Sequence, residues 1–239
     1  MNSIPLPASY IDFRNQKLWD ELNQQSEIII EYHSESTYGV YQINQQITVY
    51  VPEGEPCIAS FTHELLHLWL TQNDFSPSPS INSILKSDKL TLTLLGSELI
   101  EHITNCVEHV KMLPRYLEMG FLRSKFIDDF NVCKSSPGEM QRIENWFKSD
   151  DTVTRCIAVR GYIGAYFGMQ ACPNSEFDYT SSFFRLKVID PTLFRILDNF
   201  WQSWSLFNVE NSDSVLNSHR LFSFPFTQDL RTWLQEKFI

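Results

Sequence analysis

Five consecutive residues, His63-Glu64-Leu65-Leu66-His67, have the residue types and the spacing of a hydrolytic zinc site. On a helix, His63 and His67 lie one turn apart on the same face, so both imidazoles can reach a single ion. Glu64 lies beside them, where its carboxylate can take up and release a proton. The pattern therefore predicts Zn²⁺ as the cofactor, with His63 and His67 as ligands and Glu64 as the general base of a hydrolytic reaction.

The helix that carries this pattern is predicted over residues 56–72. Residues 39–43 and 47–51 precede it and have the branched and aromatic side chains typical of β-strands. Most apolar residues of the helix fall on one side, whereas the two histidines and the glutamate of the motif fall on the other. We therefore expect the motif on a polar stripe that is backed by the core.

A second amphipathic segment, residues 97–112, concentrates acidic and imidazole side chains on its polar face. At helical intervals this face carries Glu98, Glu101, His102, Asn105, Glu108 and His109. No Lys or Arg interrupts the segment before Lys111, and a divalent cation nearby would offset the repulsion among like charges. A catalytic zinc commonly has three protein ligands. We expect the third from this segment, with Glu101 as first choice, Glu98 as second and His102 as third, since spacing alone does not separate them.

The order of the elements resembles that of gluzincin-type zinc metallopeptidases, in which strand, turn and strand precede a His-Glu-x-x-His helix and a helix that bears Glu. The segments Gly39-Val40-Tyr41, Ile47-Thr48-Val49 and His63-Glu64-Leu65-Leu66-His67 resemble the compact ImmA/IrrE-type branch. That branch tends to show Glu-x-x-Ala-Asn, an apolar segment and then a Leu-Pro or Met-Pro pair. This chain has Glu101-His102-Ile103-Thr104-Asn105 and later Leu113-Pro114.

This resemblance covers about residues 38–114. It implies a zincin-like part with a small sheet and two site helices, Glu101 as the third metal ligand and Asn105 as a supporting residue. The chain departs from the family pattern at Thr104, where a small residue is expected, and at Val107-Glu108, where an aromatic-Ala pair is expected.

Composition and charge narrow the class of protein further. The net charge of -10 argues against nucleic acid as a partner, because no basic stripe is available to contact phosphates. Residues 1–10 lack the basic start and apolar run of a secretory signal, and no apolar stretch is long enough to span a bilayer. The five cysteines are odd in number and lack C-x-x-C spacing, which favours reduced thiols over disulfides. We expect a cytoplasmic protein with no membrane partner.

The remaining pattern predicts a helix-rich α+β fold with a small sheet near the N-terminus. We expect a zincin-like metallopeptidase core over residues 1–115 and a mostly helical part, packed on that core, over residues 116–239. Beyond the site helices, helical segments are predicted at residues 12–24, 116–130, 138–147, 152–169, 191–207 and 227–238.

Together these features predict a zinc-dependent metallopeptidase that hydrolyses peptide bonds in an intracellular protein or peptide. The alternative is a non-catalytic metal-binding regulatory or scaffold protein with a zincin-like fold. If the strand at residues 47–51 lies at a sheet edge, it can also bind an extended peptide by β-addition. The donor that stabilises the oxyanion is left open among His102, His109, His219, Tyr162 and Tyr166.

Overall fold

Ten α-helices and three β-strands make up the part of the chain that the structure describes, which confirms the helix-rich α+β class. The structure is a computed structural model and describes residues 8–43, 46–73, 78–207 and 215–238. Within these residues, no helix has the length and apolar content needed to cross a bilayer. The helices are α1 (Gln16–Gln25), α2 (Ile58–Gln72), α3 (Ser78–Ser87), α4 (Lys89–Leu95), α5 (Ser97–Glu118), α6 (Pro137–Phe147), α7 (Thr152–Gln170), α8 (Thr180–Ile189), α9 (Pro191–Leu206) and α10 (Val215–Phe238).

The strands form one mixed sheet in the order β1-β3-β2. β1 (Ile28–His33) pairs parallel with β3 (Gln46–Pro52), and β2 (Gly39–Ile43) pairs antiparallel with β3. Every second side chain of β3 is buried, which is the period of a strand with one face on the core. Because β3 is paired on both sides, it has no open edge, and the condition for β-addition at residues 47–51 is not met.

Helix α2 is buried on more sides than its amphipathic pattern predicts. Phe61, Leu65 and Leu68 form the expected apolar side, but Thr62 and His63 are buried as well. The amide of Asn15 donates a hydrogen bond of 2.9 Å to the Thr62 hydroxyl, which ties α2 to the start of α1. The polar stripe of α2 therefore faces protein over part of its length.

The helix predicted over residues 116–130 is wrong. Helix α5 continues through Pro114 and ends at Glu118, and Gly120 follows with φ of 87°. Such a left-handed residue just after a helix stops its propagation, and glycine adopts it without steric cost. A short 3-10 helix, Arg123–Lys125, then leads to Phe126, which is buried. The segment after α5 is therefore an ordered loop, and its apolar side chain packs inward.

Three of the later helices, α6, α7 and α9, begin where side chains cap their free backbone amides. Ser136 and Glu139 form a capping box at α6, and aspartates at positions 151 and 190 accept hydrogen bonds at the starts of α7 and α9. These three helices lie where the sequence predicts them. The buried Trp204 on α9 donates its indole N–H to the backbone oxygen of Val107 on α5, at 2.7 Å.

By compactness the chain divides into two units. The first comprises Met1–Ser76 and Lys111–Phe130, and the second comprises Pro77–Val110 and Asn131–Ile239. Helix α5 is one continuous helix with residues in both ranges. The boundary predicted at residue 115 falls inside this helix.

Candidate metal centre

The two histidines of α2 place their ring nitrogens side by side. The Nε2 atoms of His63 and His67 are 3.2 Å apart, and the ring centroids are 5.0 Å apart. Two ligands bound tetrahedrally at the usual Zn–N distance of about 2.0–2.1 Å have nitrogens about 3.3 Å apart. The pair on α2 therefore matches one edge of a zinc tetrahedron without rearrangement.

A third imidazole, that of His109 on α5, completes a group of possible metal ligands. One ligand atom from each of His63, His67 and His109 lies within 4.8 Å of the others. His63 is buried and the other two are half-buried. Among the described residues, this is the group of three or more such side chains that lies close enough to bind a metal ion. Three nitrogen donors suit a transition metal better than the oxygen-preferring Mg²⁺ or Ca²⁺.

Glu101 is not brought to this group by the structure. Its carboxylate Oε1 accepts a hydrogen bond from Lys86 Nζ at 2.9 Å, and its side chain is 62% exposed. Eight residues separate Glu101 from His109, which corresponds to about 12 Å along the axis of α5. The two side chains therefore cannot both bind one ion, and the structure brings His109, not Glu101, to the imidazole pair.

The other residues predicted around the site also lie elsewhere. Glu98 and Asn105 are exposed. His102 Nε2 donates to the backbone oxygen of Gly164 at 3.2 Å. The hydroxyl of Tyr162 donates to the Leu186 oxygen, and that of Tyr166 donates to Asp198. The side chain of His219 lies outside the described residues. None of the described oxyanion candidates except His109 is therefore grouped with the imidazole pair.

The acidic face of α5 changes character along the helix, and this explains why His109 was not among the ligands predicted from the sequence. Glu101, His102 and Asn105 are exposed, whereas Glu108 is buried and His109 is half-buried. The sequence identifies the face, because its period is that of a helix. It does not identify which turn of that face meets α2. The one available signal was His109 itself, an imidazole on the predicted face.

Burial controls the charge of His63. The pKa of His63 is lowered from 6.5 to about 3, chiefly by desolvation and also by the nearby His67, while a hydrogen bond with the backbone of Phe126 opposes both effects. The ring of Phe126 lies 4.8 Å from that of His63, centroid to centroid. His63 is therefore a neutral imidazole at pH 7, which is the form that binds metal ions.

The pKa of Glu64 shifts in the opposite direction to that of His63. Burial raises the pKa of its carboxyl above the usual 4.5, and the charge of Asp128 raises it further, while His67 lowers it. A carboxylate with a raised pKa exchanges protons more readily near neutral pH. The residue next to His63 therefore has the acidity expected of a proton carrier.

Acidification is expected to destabilise the metal-free protein. Because the pKa of His63 is lower in the folded chain, the unfolded chain binds more protons between about pH 6.5 and pH 3, so stability is lost as the pH falls through this range. The contribution of His63 from pH 7 to pH 5 is about 2 kcal/mol. Urea unfolding at both pH values, with EDTA present, measures it. His63→Gln should lose this part of the dependence, and an unchanged dependence would contradict the assignment.

The chain matches no protein-family model, no curated protein and no solved structure.

Proposed function

We propose that this protein is a zinc-dependent metallopeptidase that hydrolyses peptide bonds, with His63, His67 and His109 as metal ligands. The observation that carries the proposal is the group of three imidazoles with a carboxylate in the position after the first of them. Structural zinc sites use four protein ligands, whereas catalytic sites commonly use three and leave one position open. Among the described residues, this group contains three possible protein ligands, which is the number typical of a catalytic site.

The donor set fits zinc by type, number and spacing. Imidazole nitrogen suits this ion, and the separation of 3.2 Å between the α2 nitrogens is close to the tetrahedral edge of about 3.3 Å. The largest separation in the group, up to 4.8 Å, has to shorten by a small side-chain rotation when three nitrogens share one ion.

In this proposal the three histidines hold the ion, and Glu64 transfers protons. Bound zinc supplies Lewis acidity, which lowers the pKa of water and polarises a substrate carbonyl. Glu64 accepts a proton at its carboxylate from the attacking water and passes it to the nitrogen of the leaving amine. Its raised pKa supports the first transfer, because a more basic carboxylate takes up the proton more readily. His63, which stays neutral, keeps its nitrogen available to the ion.

The zincin-type fold belongs to the same proposal. Strands β2 and β3 form an antiparallel pair immediately before α2, as the resemblance implies. A helix with the candidate third ligand, α5, follows α2 in the chain, after α3 and α4. We extend the proposal to an intracellular protein or peptide as the substrate.

One observation favours the alternative of a non-catalytic, metal-binding regulatory or scaffold protein. His63 is only 9% exposed, and the Phe126 ring packs against it. A metal ion bound mainly to hold such a buried imidazole in place would stabilise the fold without any reaction. The two functions differ in what Glu64 does.

Metal removal tests the proposed function. The purified protein should bind one zinc ion per chain, measured by mass spectrometry of the metal. It should also cleave members of a proteome-derived peptide library, detected as new termini. EDTA should abolish the cleavage, and added zinc should restore it. Absence of zinc binding, or cleavage that survives chelation, would refute the proposal. A zinc-loaded protein that cleaves no peptide would support the alternative.

A further inference from the structure

One face of the sheet is turned away from the core, and we call it the outer face. The central strand β3 fully buries alternate side chains, namely Ile47, Val49 and Val51. Tyr50 lies between two of them in sequence, so its side chain belongs to the outer face, where it is half-buried. Tyr41 of β2 contacts Tyr50 and is 64% exposed. The outer face therefore presents aromatic surface to solvent.

Three rings form a row across the strands of the outer face. The ring centroid of Tyr50 is 5.5 Å from that of Tyr41 on β2 and 6.0 Å from that of His33 on β1. The Tyr41 ring extends over Gly39, because a Cβ added at Gly39 would lie 3.7 Å from Tyr41 Cε2. The position of the Tyr41 ring is thus supported by the bare backbone of its own strand and by Tyr50.

An unpaired carboxylate lies on the same face. Glu31 of β1 is in register with Tyr50, so the two residues lie on neighbouring strands about 4.8 Å apart. Ile30 before it is buried, whereas Glu31 is exposed. In the described part of the chain, the Glu31 carboxylate has no hydrogen bond or ion pair. A guanidinium binds well to both kinds of group, since it stacks on an aromatic ring and donates paired hydrogen bonds to a carboxylate.

The sheet and its turns carry negative charge only. Residues 26–57 contain no Lys or Arg, and they contain five carboxylates: Glu27, Glu31, Glu35, Glu53 and Glu55. All five are exposed, and none of them forms an ion pair with another described residue. Like charges on one small sheet repel one another, and a cationic partner would relieve that repulsion.

The spread of these carboxylates indicates the kind of cationic partner. Among the described residues, no three of them lie close enough together to bind one metal ion. Glu27 precedes β1, and Glu53 follows the end of β3 that pairs with the end of β1, so the charges extend along a strand of six residues, about 20 Å. The same charges would repel nucleic acid and an anionic membrane. A protein segment with several cations along an extended chain fits this spread.

We propose that the outer face of the sheet binds an extended, arginine-containing segment of a basic protein. One guanidinium stacks on the exposed ring of Tyr41, and another pairs with the Glu31 carboxylate, two strand spacings away. Further basic side chains of the segment pair with the glutamates at the ends of the sheet. This binding needs neither a metal ion nor hydrolysis, so it goes beyond the proposed function and is tested separately from it.

Fluorescence anisotropy of a labelled Gly-Arg-Gly-Arg-Gly-Arg-Gly peptide, blocked at both ends, tests the proposal with the full chain. At 0.15 M salt the Debye length is about 8 Å, so distant charges contribute little. We expect saturable one-to-one binding. The same peptide with Gln in place of Arg should bind at least about tenfold more weakly. If the arginine peptide shows no saturable binding, or if the glutamine peptide binds as tightly, the proposal is wrong.

Paired variants locate the peptide on the outer face. Tyr41→Ala should weaken binding at least about threefold, whereas Tyr41→Phe keeps the ring and should change it less than about twofold. Phe13→Ala removes a ring that is 90% exposed and lies outside the sheet, and it should leave binding unchanged. Unchanged binding in Tyr41→Ala, or an equal loss in Phe13→Ala, would overturn the site.

Charge reversal provides the second pair. Glu31→Lys should weaken binding at least about tenfold. Glu98→Lys changes the net charge equally at an exposed position of α5, and it should change binding less than about twofold. Circular dichroism checks that each variant is folded. Equal losses in Glu31→Lys and Glu98→Lys would show a general charge effect and contradict the proposal.

Discussion

Replacing His109 with alanine is expected to weaken zinc binding by about a hundredfold or more, because it removes one of three ligands, and loss of even a supporting residue typically costs 10–100-fold. Glu101→Ala should change zinc affinity by less than about threefold, since the Glu101 carboxylate forms an exposed ion pair with Lys86. Competition with a chromophoric zinc chelator measures both affinities. The pair of variants separates the ligand set found by geometry from the one that the resemblance implies.

Two control variants separate the loss of a ligand from the loss of volume or of charge. His109 is half-buried, so His109→Gln preserves much of its volume while it removes the imidazole. Glu98→Ala removes an exposed carboxylate from the same helix and should bind zinc like the unchanged protein. If Glu101→Ala loses zinc while His109→Ala retains it, the ligand is the one predicted from the sequence, and the proposed role of His109 is wrong.

Local patterns predicted the elements well where a single period or cap decides them. The segments predicted over residues 138–147 and 152–169 match α6 and α7 within one residue at each end, because Pro137 and Asp151 mark the helix starts. The hairpin strands before α2 likewise lie where their branched and aromatic residues predict them. These features depend on neighbours in the chain.

Features that depend on distant partners were not predictable in the same way. Strand β1 pairs with β3 rather than with its sequence neighbour β2, and no local pattern encodes that order. Helix α8 was not predicted at all, and its amphipathic pattern is weak: exposed Phe184 and Val188 interrupt the polar side. Tertiary packing therefore determines both the strand order and the formation of α8.

The candidate site also has a part that local sequence predicts and a part that depends on distant contacts. His63 and His67 are one turn apart on one helix, so their proximity follows from helical geometry alone. The third member comes from another helix, where the acidic face offers acidic and imidazole donors over several turns. Its identity depends on which turn of α5 reaches α2, and this is a property of tertiary structure. The burial of Glu108 and His109 is the observation that indicates the turn.

Replacing Glu64 with glutamine is expected to lower kcat for peptide cleavage by about 10²–10⁴-fold while zinc content stays at one ion per chain, because general base catalysis typically contributes that much. The amide has nearly the same shape as the carboxylate and cannot accept the proton. Glu55→Gln, in the loop before α2, removes an exposed carboxylate of the same unit and should leave kcat unchanged. Steady-state kinetics on one peptide that the unchanged protein cleaves gives kcat for the unchanged protein and for both variants.

The pH profile of the unchanged protein gives an independent readout of the same role. The base must be ionised to accept a proton, so the rate should fall on the acidic side as the pH drops through the pKa of Glu64. Burial raises that pKa and the charge of a bound zinc ion opposes the shift, so the position of the fall gives the pKa of Glu64 in the zinc-loaded protein. Glu64→Asp keeps a carboxylate and should recover part of the activity that glutamine loses. Full activity in Glu64→Gln would remove the general base from the mechanism. A zinc-loaded protein whose cellular function is unchanged by Glu64→Gln and lost in His63→Ala would instead identify the metal as a structural element of a binding protein.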